Sequence, residues 1–405
     1  MALQHPSSSC NISASSIQTI GILGGGQLGR MSAMAAQHMG YRVVVFAPED
    51  NPPASSVAHE TIQASYTDHE ALTRFAHQVD VVTLEFENIP STTLDYLATL
   101  GVTTYPQVQA LATAQHRLTE KTFFKTQGLP VAPFYEVDSP EALQEATTHL
   151  GFPCVLKTTG FGYDGKGQVI LHTIQELHAA WDKLSPLCPT LIAEAWVKFS
   201  EEVSCISARN AQGEIVHYGL LHNEHRHHIL HISRTGKTLT SSALQHQAET
   251  LNTHILEALN YVGLLCVEYF VCPSEEETSS QLLINEMAPR PHNSGHLTIE
   301  GAVTSQFEQH IRAICGLPLG STAWRYPFIA MVNILGDAWF NVSHTASSSP
   351  ETPAWHTWMA QNTHLKCHLY GKTEAKVGRK MGHWTLHAET QPDLETALSA
   401  LTPSF

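Results

Sequence analysis

The stretch TIGILGGGQLGRMSAMAAQHMGYRVVVFAPED, residues 19–50, decides the fold of the first part of this chain. It places Gly24, Gly26 and Gly29 in a G-x-G-x-x-G pattern between a strand-like run and a helix-like run. A second strand-like run then ends beside Glu49. This pattern is typical of a βαβ unit that binds a dinucleotide, because the glycines make a tight turn and open a helix N-terminus to phosphate. The stretch predicts a Rossmann-like α/β fold and leaves the identity of the ligand open.

Composition indicates a globular protein of two or three domains, since 42% of the 405 residues are hydrophobic and 15% are charged. The 22 Lys and Arg against 37 Asp and Glu give a net charge of −15, without a long basic run. Nucleic acid is therefore not an expected partner. No apolar run reaches the roughly 18 residues of a membrane span, so no membrane association is expected.

The eight cysteines form no C-x-x-C pair, so neither a zinc knuckle nor a redox dithiol is indicated. Scattered thiols are typical of a reducing compartment, and we expect a cytoplasmic location. Residues 1–16 are Ser-rich and lack Lys and Arg. This segment is predicted to be a disordered tail and not a targeting peptide.

The order of strand-like and helix-like runs divides the rest of the chain into three parts. Residues 17–115 alternate the two, which predicts a parallel sheet. A helical stretch at 110–127 crosses the next boundary, and residues 116–315 form an antiparallel α+β domain with a glycine-rich lid at 160–168. Residues 316–405 form a small C-terminal domain. The strands and helices predicted in the first part are 17–23, 27–39, 41–46, 69–77, 79–84 and 91–99.

Two glutamates predict a metal site. The runs GLLCVEYFV and QLLINEMAPR read as two strands of a hairpin, and pairing residue 273 with 281 sets Glu268 opposite Glu286. Opposed cross-strand residues lie about 5 Å apart, where like charges repel. A Mg²⁺ ion between the carboxylates removes that repulsion, whereas the alternative is a solvated acidic pair.

The segment LKTTGFGYDGKGQ, residues 156–168, carries the second chemical signal. Gly160, Gly165 and Lys166 imitate a phosphate-binding P-loop, but Gly167 stands where Ser or Thr should ligate Mg²⁺. A following strand, where a P-loop requires a helix, also argues against that motif. A glycine-rich hairpin can still cover phosphates, with Lys157 pointing at them, and the alternative is a flexible surface hairpin.

Three further clusters of polar residues are candidate binding sites. Five histidines lie between residues 222 and 231, but their spacing matches no zinc pattern, so a histidine metal site is not predicted. Arg290, His292 and Asn293 follow Glu286 on a proline-bounded loop and indicate an anion site. The basic residues between 372 and 380 form either a solvated turn or a phosphate clamp.

Together these motifs resemble one family. GILGGGQLGRM, EFENIP, GYDGKGQ, EEVS, HNEH, INEMAPRPHNSGH and GRKMGH occur in this order from about residue 17 to 400. The chain resembles the N5-carboxyaminoimidazole ribonucleotide synthetases of purine biosynthesis, which are ATP-grasp enzymes. The resemblance implies an ATP-grasp fold with a Rossmann-like pre-ATP-grasp domain. It also implies ATP, Mg²⁺ (or Mn²⁺ in its place), bicarbonate and 5-aminoimidazole ribonucleotide as ligands, carboxyphosphate as the intermediate, and a homodimer.

The resemblance also implies roles for individual residues. Those implied to contact ATP are Arg117, Lys157, Gly162, Tyr163, Asp164, Gly165, Lys166, Gly167, Gln168, Glu194, Ala195, Trp196, Val197, Glu202, His225, Asn285 and Glu286. Metal binding falls to Glu268 and Glu286, helped by Asn285. Those implied to meet the other substrates are Gly26, Gln27, Leu28, Tyr163, Asp164, Arg290, His292, Asn293, Lys372 and Arg379. Catalysis is expected from Lys157 and Arg290, with Asp164 as the hypothesised general base.

The chain departs from the family pattern in the HNEH motif. The family reads HNxHxxGIL, whereas His228 stands at the glycine position here and His231 at a position that is often basic. No mutase domain follows residue 405, so the single-function form is expected. The rival interpretations are glycinamide ribonucleotide synthetase or a formate-using transformylase, an NAD-dependent oxidoreductase, and a catalytically silent nucleotide-binding regulator.

Overall fold

The computed structural model describes residues 17–160, 167–236, 241–273, 280–340 and 362–401, with residues 353, 355, 359 and 360. The first part is a five-stranded parallel sheet in the order β3-β2-β1-β4-β5. Its strands are β1 (Thr19–Leu23), β2 (Arg42–Ala47), β3 (Glu60–Gln63), β4 (Val81–Leu84) and β5 (Thr103–Thr104). Its helices are α1 (Gln27–His38), α2 (His69–Ala76) and α3 (Ser91–Thr99), followed by α4 (Val108–Gln115). The predicted parallel α/β fold is confirmed.

A second, four-stranded antiparallel sheet has the order β6-β9-β7-β8. It consists of β6 (Phe134–Val137), β7 (Cys154–Thr158), β8 (Gln168–Leu171) and β9 (Leu191–Ala195). The helices around it are α5 (Arg117–Thr126), α6 (Pro140–Leu150) and α7 (Leu177–Leu184). Helix α6 begins cleanly, because the Ser139 side chain accepts a hydrogen bond from the Ala142 N–H and Pro140 occupies the first turn.

The third sheet is antiparallel and has eight strands in the order β14-β13-β10-β11-β12-β15-β17-β16. Its first five strands are β10 (Glu201–Arg209), β11 (Ile215–Arg226), β12 (Ile229–Gly236), β13 (Gly263–Pro273) and β14 (Ser280–Ala288). The other three are β15 (Phe328–Leu335), β16 (Lys366–Leu369) and β17 (Lys380–Ala388). Further helices in the described ranges are α8 (Ser242–Ala258), α9 (Thr298–Gly301), α10 (Gln306–Ile314) and α11 (Gln391–Leu401).

Three predicted details differ from the structure. The predicted helix 110–127 is wrong as a single element, because it breaks at His116, which has extended φ and ψ of −127° and 110°. The break lets the Arg117 N–H reach the Thr159 carbonyl at 2.7 Å. The short strands β3 and β5 were not predicted, since they carry little apolar pattern. The strands of the predicted C-terminal domain lengthen the sheet that begins at Glu201, and the domain boundaries stay predictions.

None of the helices in the described ranges has the length and apolarity that a membrane crossing requires. The cores of the three sheets are apolar clusters. Phe46, Leu72 and Phe75 belong to the first, Leu143 and Leu156 to the second. The core of the third includes Leu256, Leu265 and Val267.

Candidate active site

A cavity of about 710 Å³ lies between the four-stranded and the eight-stranded sheets. Strands β7, β8 and β9 line one wall, and β10, β11, β13 and β14 line the other. Most described residues that were predicted to bind ATP, metal or bicarbonate meet there. The predicted residues in its lining are Arg117, Lys157, Gln168, Glu194, Ala195, Trp196, Val197, Glu202, His225, Glu268, Asn285, Glu286, Arg290, His292 and Asn293.

Glu268 on β13 is paired with Glu286 on β14 in the strand register, as the sequence predicted. The predicted register at the hairpin end is wrong by one residue, since Pro273 pairs with Ser280. A bulge between the Tyr269–Ile284 and Glu268–Glu286 pairs corrects the offset. The extra residue in the bulge is Asn285, and it lines the cavity together with both glutamates.

The two glutamates differ in their electrostatics. Burial raises the pKa of Glu268, but His292 and His225 outweigh burial and lower it to about 2. His292 Nε2 lies 3.0 Å from Glu268 Oε1. Burial raises the pKa of Glu286, and the Glu268 carboxylate raises it further, although Arg117 and Lys157 oppose both. The pair therefore resists carrying two charges unless a cation joins it.

The opposite wall carries cations. Lys157 Nζ lies 3.1 Å from Glu194 Oε2, and Lys121 Nζ lies 3.6 Å from the same oxygen. Burial raises the pKa of Glu194, but Lys121 and Lys157 outweigh it and lower the pKa to about 2. Glu194 Oε1 is buried and has no hydrogen-bond partner among the described residues. Lys157 pairs with Gln168 across β7 and β8, so both side chains belong to the strand ends that flank the glycine-rich segment.

The β11–β12 hairpin forms one rim of the cavity. His225 Nδ1 lies 2.6 Å from Glu202 Oε2. Burial lowers the pKa of His225, but Glu202 and Glu268 outweigh it and raise the pKa above its usual value. His227 and His228 form the two-residue turn and both have positive φ, 51° and 65°. That backbone conformation favours glycine, so His228 adopts a conformation normally given to the residue it replaces in the family pattern.

Arg290 is held by a carboxylate that the sequence analysis did not assign. Its guanidinium forms a two-pronged ion pair with Glu87, in which Nη2 lies 3.0 Å from Oε1 and Nε contacts Oε2. The side-chain amide of Asn293 exchanges hydrogen bonds of 3.0 and 2.7 Å with that of Asn333. Whether Arg290, His292 and Asn293 meet bicarbonate stays a prediction.

The N-terminus of α1 binds a carboxylate of the same chain, that of Glu85. The Glu85 carboxylate accepts a hydrogen bond from the Gly29 N–H at 2.8 Å and another from the Gly26 N–H. A Cβ at Gly26 would lie 2.6 Å from Glu85 Oε1, so this close approach requires glycine. Burial raises the pKa of Glu85, although the two N–H groups oppose it.

Lys372, which was predicted to hold the aminoimidazole ribonucleotide, lies close enough to Glu85 for the two charges to interact. Leu28 packs in one small core with Tyr370, two residues before Lys372. Burial and the charge of Arg379 lower the pKa of Lys372 to about 8, and Glu85 opposes them. Lys372 Nζ donates to the Lys380 carbonyl at 2.6 Å, and Arg379 Nη1 donates to the Glu374 carbonyl at 2.7 Å. Lys380 lines the cavity, so Lys372 adjoins it, and Gln27 is the first residue of α1.

Part of the predicted lid lies outside the described residues. Gly162, Tyr163, Asp164, Gly165 and Lys166 belong to it, so their roles stay predictions. Gly167 has φ of 71°, and a Cβ there would lie 2.6 Å from Thr158 Oγ1.

Sequence reasoning missed four charged residues. Glu85 and Glu87 were visible only as part of the EFENIP motif, and nothing in the local pattern indicates their partners. Glu120 and Lys121 are each only 2% exposed. Burial and Glu286 raise the pKa of Glu120 to about 8. The sequence could have indicated their burial, because Glu120 and Lys121 lie four and three residues before the core residue Phe124 on α5 and therefore share its inward face.

The fold and the cavity define an ATP-grasp protein, and comparisons with known families agree. Residues 122–307 match the ATP-grasp domain, and residues 17–115 match the ribonucleotide synthetase preATP-grasp domain. Residues 329–397 match the phosphoribosylaminoimidazole carboxylase C-terminal domain.

Curated relatives refine this class. A Brucella melitensis N5-carboxyaminoimidazole ribonucleotide synthase is 41% identical over 91% of this chain and 95% of its own length. The bifunctional purine synthesis protein purC/E of Dictyostelium discoideum is 43% identical over 91% of this chain, which spans 37% of that protein. The chain belongs to the family of N5-carboxyaminoimidazole ribonucleotide synthases.

Solved structures have the same fold. An N5-carboxyaminoimidazole ribonucleotide synthetase in complex with ADP superposes with a TM-score of 0.85 at 41% identity, over 96% of each chain. An Aspergillus clavatus N5-carboxyaminoimidazole synthase in complex with ADP and 5-aminoimidazole ribonucleotide has a TM-score of 0.83 at 30% identity. That superposition covers 96% of this chain and 98% of the other. The predicted fold class and family are confirmed.

Proposed function

We propose that this protein uses ATP and bicarbonate to carboxylate the amine of 5-aminoimidazole ribonucleotide. The product is N5-carboxyaminoimidazole ribonucleotide of de novo purine biosynthesis, formed through carboxyphosphate. The observation that carries the proposal is the opposed pair Glu268 and Glu286, which shares one cavity with Lys157 and Arg117. Relatives named N5-carboxyaminoimidazole ribonucleotide synthase support the proposal. The Aspergillus clavatus structure in complex with ADP and 5-aminoimidazole ribonucleotide supports it as well.

The cavity has the donor set that a nucleotide and a metal ion need. Lys157 and Arg117 supply positive charge for the phosphates, and the unpartnered Oε1 of Glu194 can accept a hydrogen bond from the nucleotide. Glu268, Glu286 and Asn285 offer the oxygen ligands that Mg²⁺ prefers, and Mn²⁺ would serve in its place. The bound metal ion would neutralise phosphate charge. Glu202 and His225 would contact the ribose and the rest of the nucleotide.

One group of residues would stabilise charge during phosphoryl transfer, and a second group would hold the aminoimidazole ribonucleotide. Lys157 would stabilise negative charge on the transferred phosphoryl group, and Arg290 would stabilise it on carboxyphosphate. Lys372 and Arg379 would hold the phosphate of the aminoimidazole ribonucleotide near Gly26, Gln27 and Leu28. Closure of residues 160–168 over the cavity would keep carboxyphosphate from water.

Asp164 is the hypothesised general base for the attacking amine. An Asp164→Asn variant is expected to bind ATP normally and to lose most of its carboxylation rate. Full carboxylation by that variant would remove Asp164 from the mechanism. The proposed setting is a homodimer in the cytoplasm, which sedimentation and localisation experiments would check.

One assay tests the proposed function against its rivals. Release of ADP is measured with bicarbonate alone, with 5-aminoimidazole ribonucleotide alone, and with both. We expect rapid release only with both. An NAD-dependent oxidoreductase would bind a nicotinamide cofactor without turning over ATP, and a silent regulator would bind ATP without hydrolysis. Another ligase of the superfamily would require a different amine or acid, so absence of release with both substrates refutes the proposal.

A further inference from the structure

Glu286 and its neighbour Asn285 lie on strand β14. Strand β14 is the edge of the eight-stranded sheet. The bulge at Asn285 interrupts its pairing with β13 where the two oxygen ligands must be presented. An edge strand has outward N–H and C=O groups that need partners when they are buried. Something other than the sheet must therefore fix this segment.

Helix α5 supplies those partners on both sides of the bulge. After the bulge, the Met287 N–H donates to Glu120 Oε1 at 2.7 Å. Before it, Lys121 Nζ donates to the Ile284 carbonyl at 3.5 Å. The Ile284 N–H donates to the Pro130 carbonyl at 2.8 Å, beyond the end of the same helix. The backbone that flanks the two ligands is thus anchored to α5 and to the loop that follows it.

Charged side chains are rarely buried this deeply unless they are paired, and Glu120 and Lys121 are each only 2% exposed. Lys121 also lies 3.6 Å from Glu194, on the opposite wall of the cavity. The first residue of α5, Arg117, donates its N–H to the Thr159 carbonyl and its Nη1 to the Thr158 carbonyl, at 2.7 and 2.9 Å. Helix α5 therefore contacts β14, which carries Asn285 and Glu286, on one side. On the other side it contacts the end of β7, which leads to the lid.

We propose that Glu120 and Lys121 are positioning residues that hold the β14 bulge, so that Asn285 and Glu286 face the cavity at a fixed distance from Glu194 and Lys157. The inference rests on the proposed role of Glu286 as a metal ligand. Glu120 acts through a hydrogen bond to the backbone, so its acceptor oxygen matters and its charge does not.

Substitutions at Glu120 distinguish the role of its acceptor oxygen from the role of its charge. Glu120→Gln keeps an oxygen that accepts from Met287, whereas Glu120→Leu leaves that N–H buried and unsatisfied. Mn²⁺ binding to the protein in the presence of ADP is measured from the resonance signal of free Mn²⁺. We expect a loss of about 10- to 100-fold in affinity for Glu120→Leu and a change within about twofold for Glu120→Gln.

A core substitution far from β14 controls for lost stability. Leu72, on α2, is fully buried in the core against the first sheet, and Leu72→Ala should destabilise the protein while leaving Mn²⁺ affinity unchanged. A folded Glu120→Leu variant with normal Mn²⁺ affinity would overturn the proposal. Equal losses for Glu120→Gln and Glu120→Leu would overturn it too, because the charge would then matter.

Hydrogen exchange provides a readout that needs neither metal nor nucleotide. The Met287 amide should be protected in the wild-type chain and in Glu120→Gln, and should exchange much faster in Glu120→Leu. Rapid exchange of this amide in the wild-type chain would contradict the proposal even if Glu120→Leu does not fold. Neither measurement uses bicarbonate or aminoimidazole ribonucleotide, so a failure of the proposed function would be recognised separately.

Discussion

The N-terminus of α1 and the cavity between the antiparallel sheets both present groups that bind phosphate, but the chain fills them differently. At α1, two backbone N–H groups meet a carboxylate of the protein, Glu85. In the cavity, the cations Lys157 and Arg117 face an open volume of about 710 Å³. A glycine pattern therefore specifies a close backbone approach, while the identity of the anion depends on residues elsewhere in the chain.

The largest effect expected from this comparison concerns the cavity. Lys157→Met removes a charge that would meet the phosphates and leaves Glu194 with Lys121 alone, so kcat/KM for ATP should fall about 10²- to 10³-fold. Steady-state ADP release measures it. Lys183→Met, at an exposed position of α7, is the control and should change little. Near-normal kinetics of Lys157→Met would place the phosphates elsewhere.

The second prediction concerns His310, which joins the first sheet, behind α1, to the eight-stranded sheet that lines the cavity. Its Nε2 lies 2.7 Å from Thr83 Oγ1 on β4, and its Nδ1 accepts from the Leu264 N–H on β13 at 3.1 Å. Burial lowers its pKa from 6.5 to about 4. The unfolded chain therefore binds this proton first, so the stability that His310 contributes is present above pH 6.5 and is lost as the pH falls towards 4.

The size of this loss follows from the shift, about 3 kcal/mol between pH 7 and pH 4. Urea unfolding of the wild-type chain and of His310→Gln over that range measures it, and the difference between the two isolates this residue. Parallel pH profiles for the two chains would mean that His310 is not held neutral at the junction.

The third prediction tests whether Glu85 occupies an anion site. Glu85→Ala leaves the N–H groups of Gly26 and Gly29 without their acceptor, so the free energy of unfolding should fall by about 2 kcal/mol. Inorganic phosphate should restore part of it, relative to chloride at equal ionic strength, and more than it stabilises the wild-type chain. Asp68→Ala, which removes the cap of α2, should lose about 1 kcal/mol and gain nothing from phosphate. No phosphate response in Glu85→Ala would refute the interpretation.

The smallest effect concerns the rim of the cavity. His228→Gly should raise the free energy of unfolding by about 1 kcal/mol, because glycine adopts a φ of 65° without steric cost. Asn51→Gly relieves the same strain at φ of 47°, away from the cavity, and is the positive control. A loss of stability in His228→Gly alone would indicate that its imidazole makes a compensating contact.

The sequence predicted elements whose pattern is local. Helix α1, predicted over 27–39, follows from its glycine start and spans Gln27–His38. The Glu268–Glu286 pair was predicted correctly even though the hairpin end was misaligned by one residue. A bulge is invisible in a hydrophobic pattern, because the pattern records which face a residue occupies and not how the backbone between two residues is spaced.

The rest depends on contacts between residues far apart in the chain. Glu87 pairs with Arg290, and Lys121 pairs with Glu194. No local rule connects residues across such separations, so these partners became visible only when the sheets were placed against each other. The two-residue strand β5 is a similar case, because its pairing with β4 and not its composition makes it a strand.

The continuous eight-stranded sheet has a consequence for how the chain can be divided. Strand β15 forms hydrogen bonds with β12, and β17 with β15, so the C-terminal strands protect the edge of the sheet that carries Glu268. A chain truncated before residue 328 would expose the part of β12 that pairs with β15, including the backbone of Ile232, Ser233 and Arg234. Such a fragment is expected to aggregate through that edge instead of surviving as an independent module.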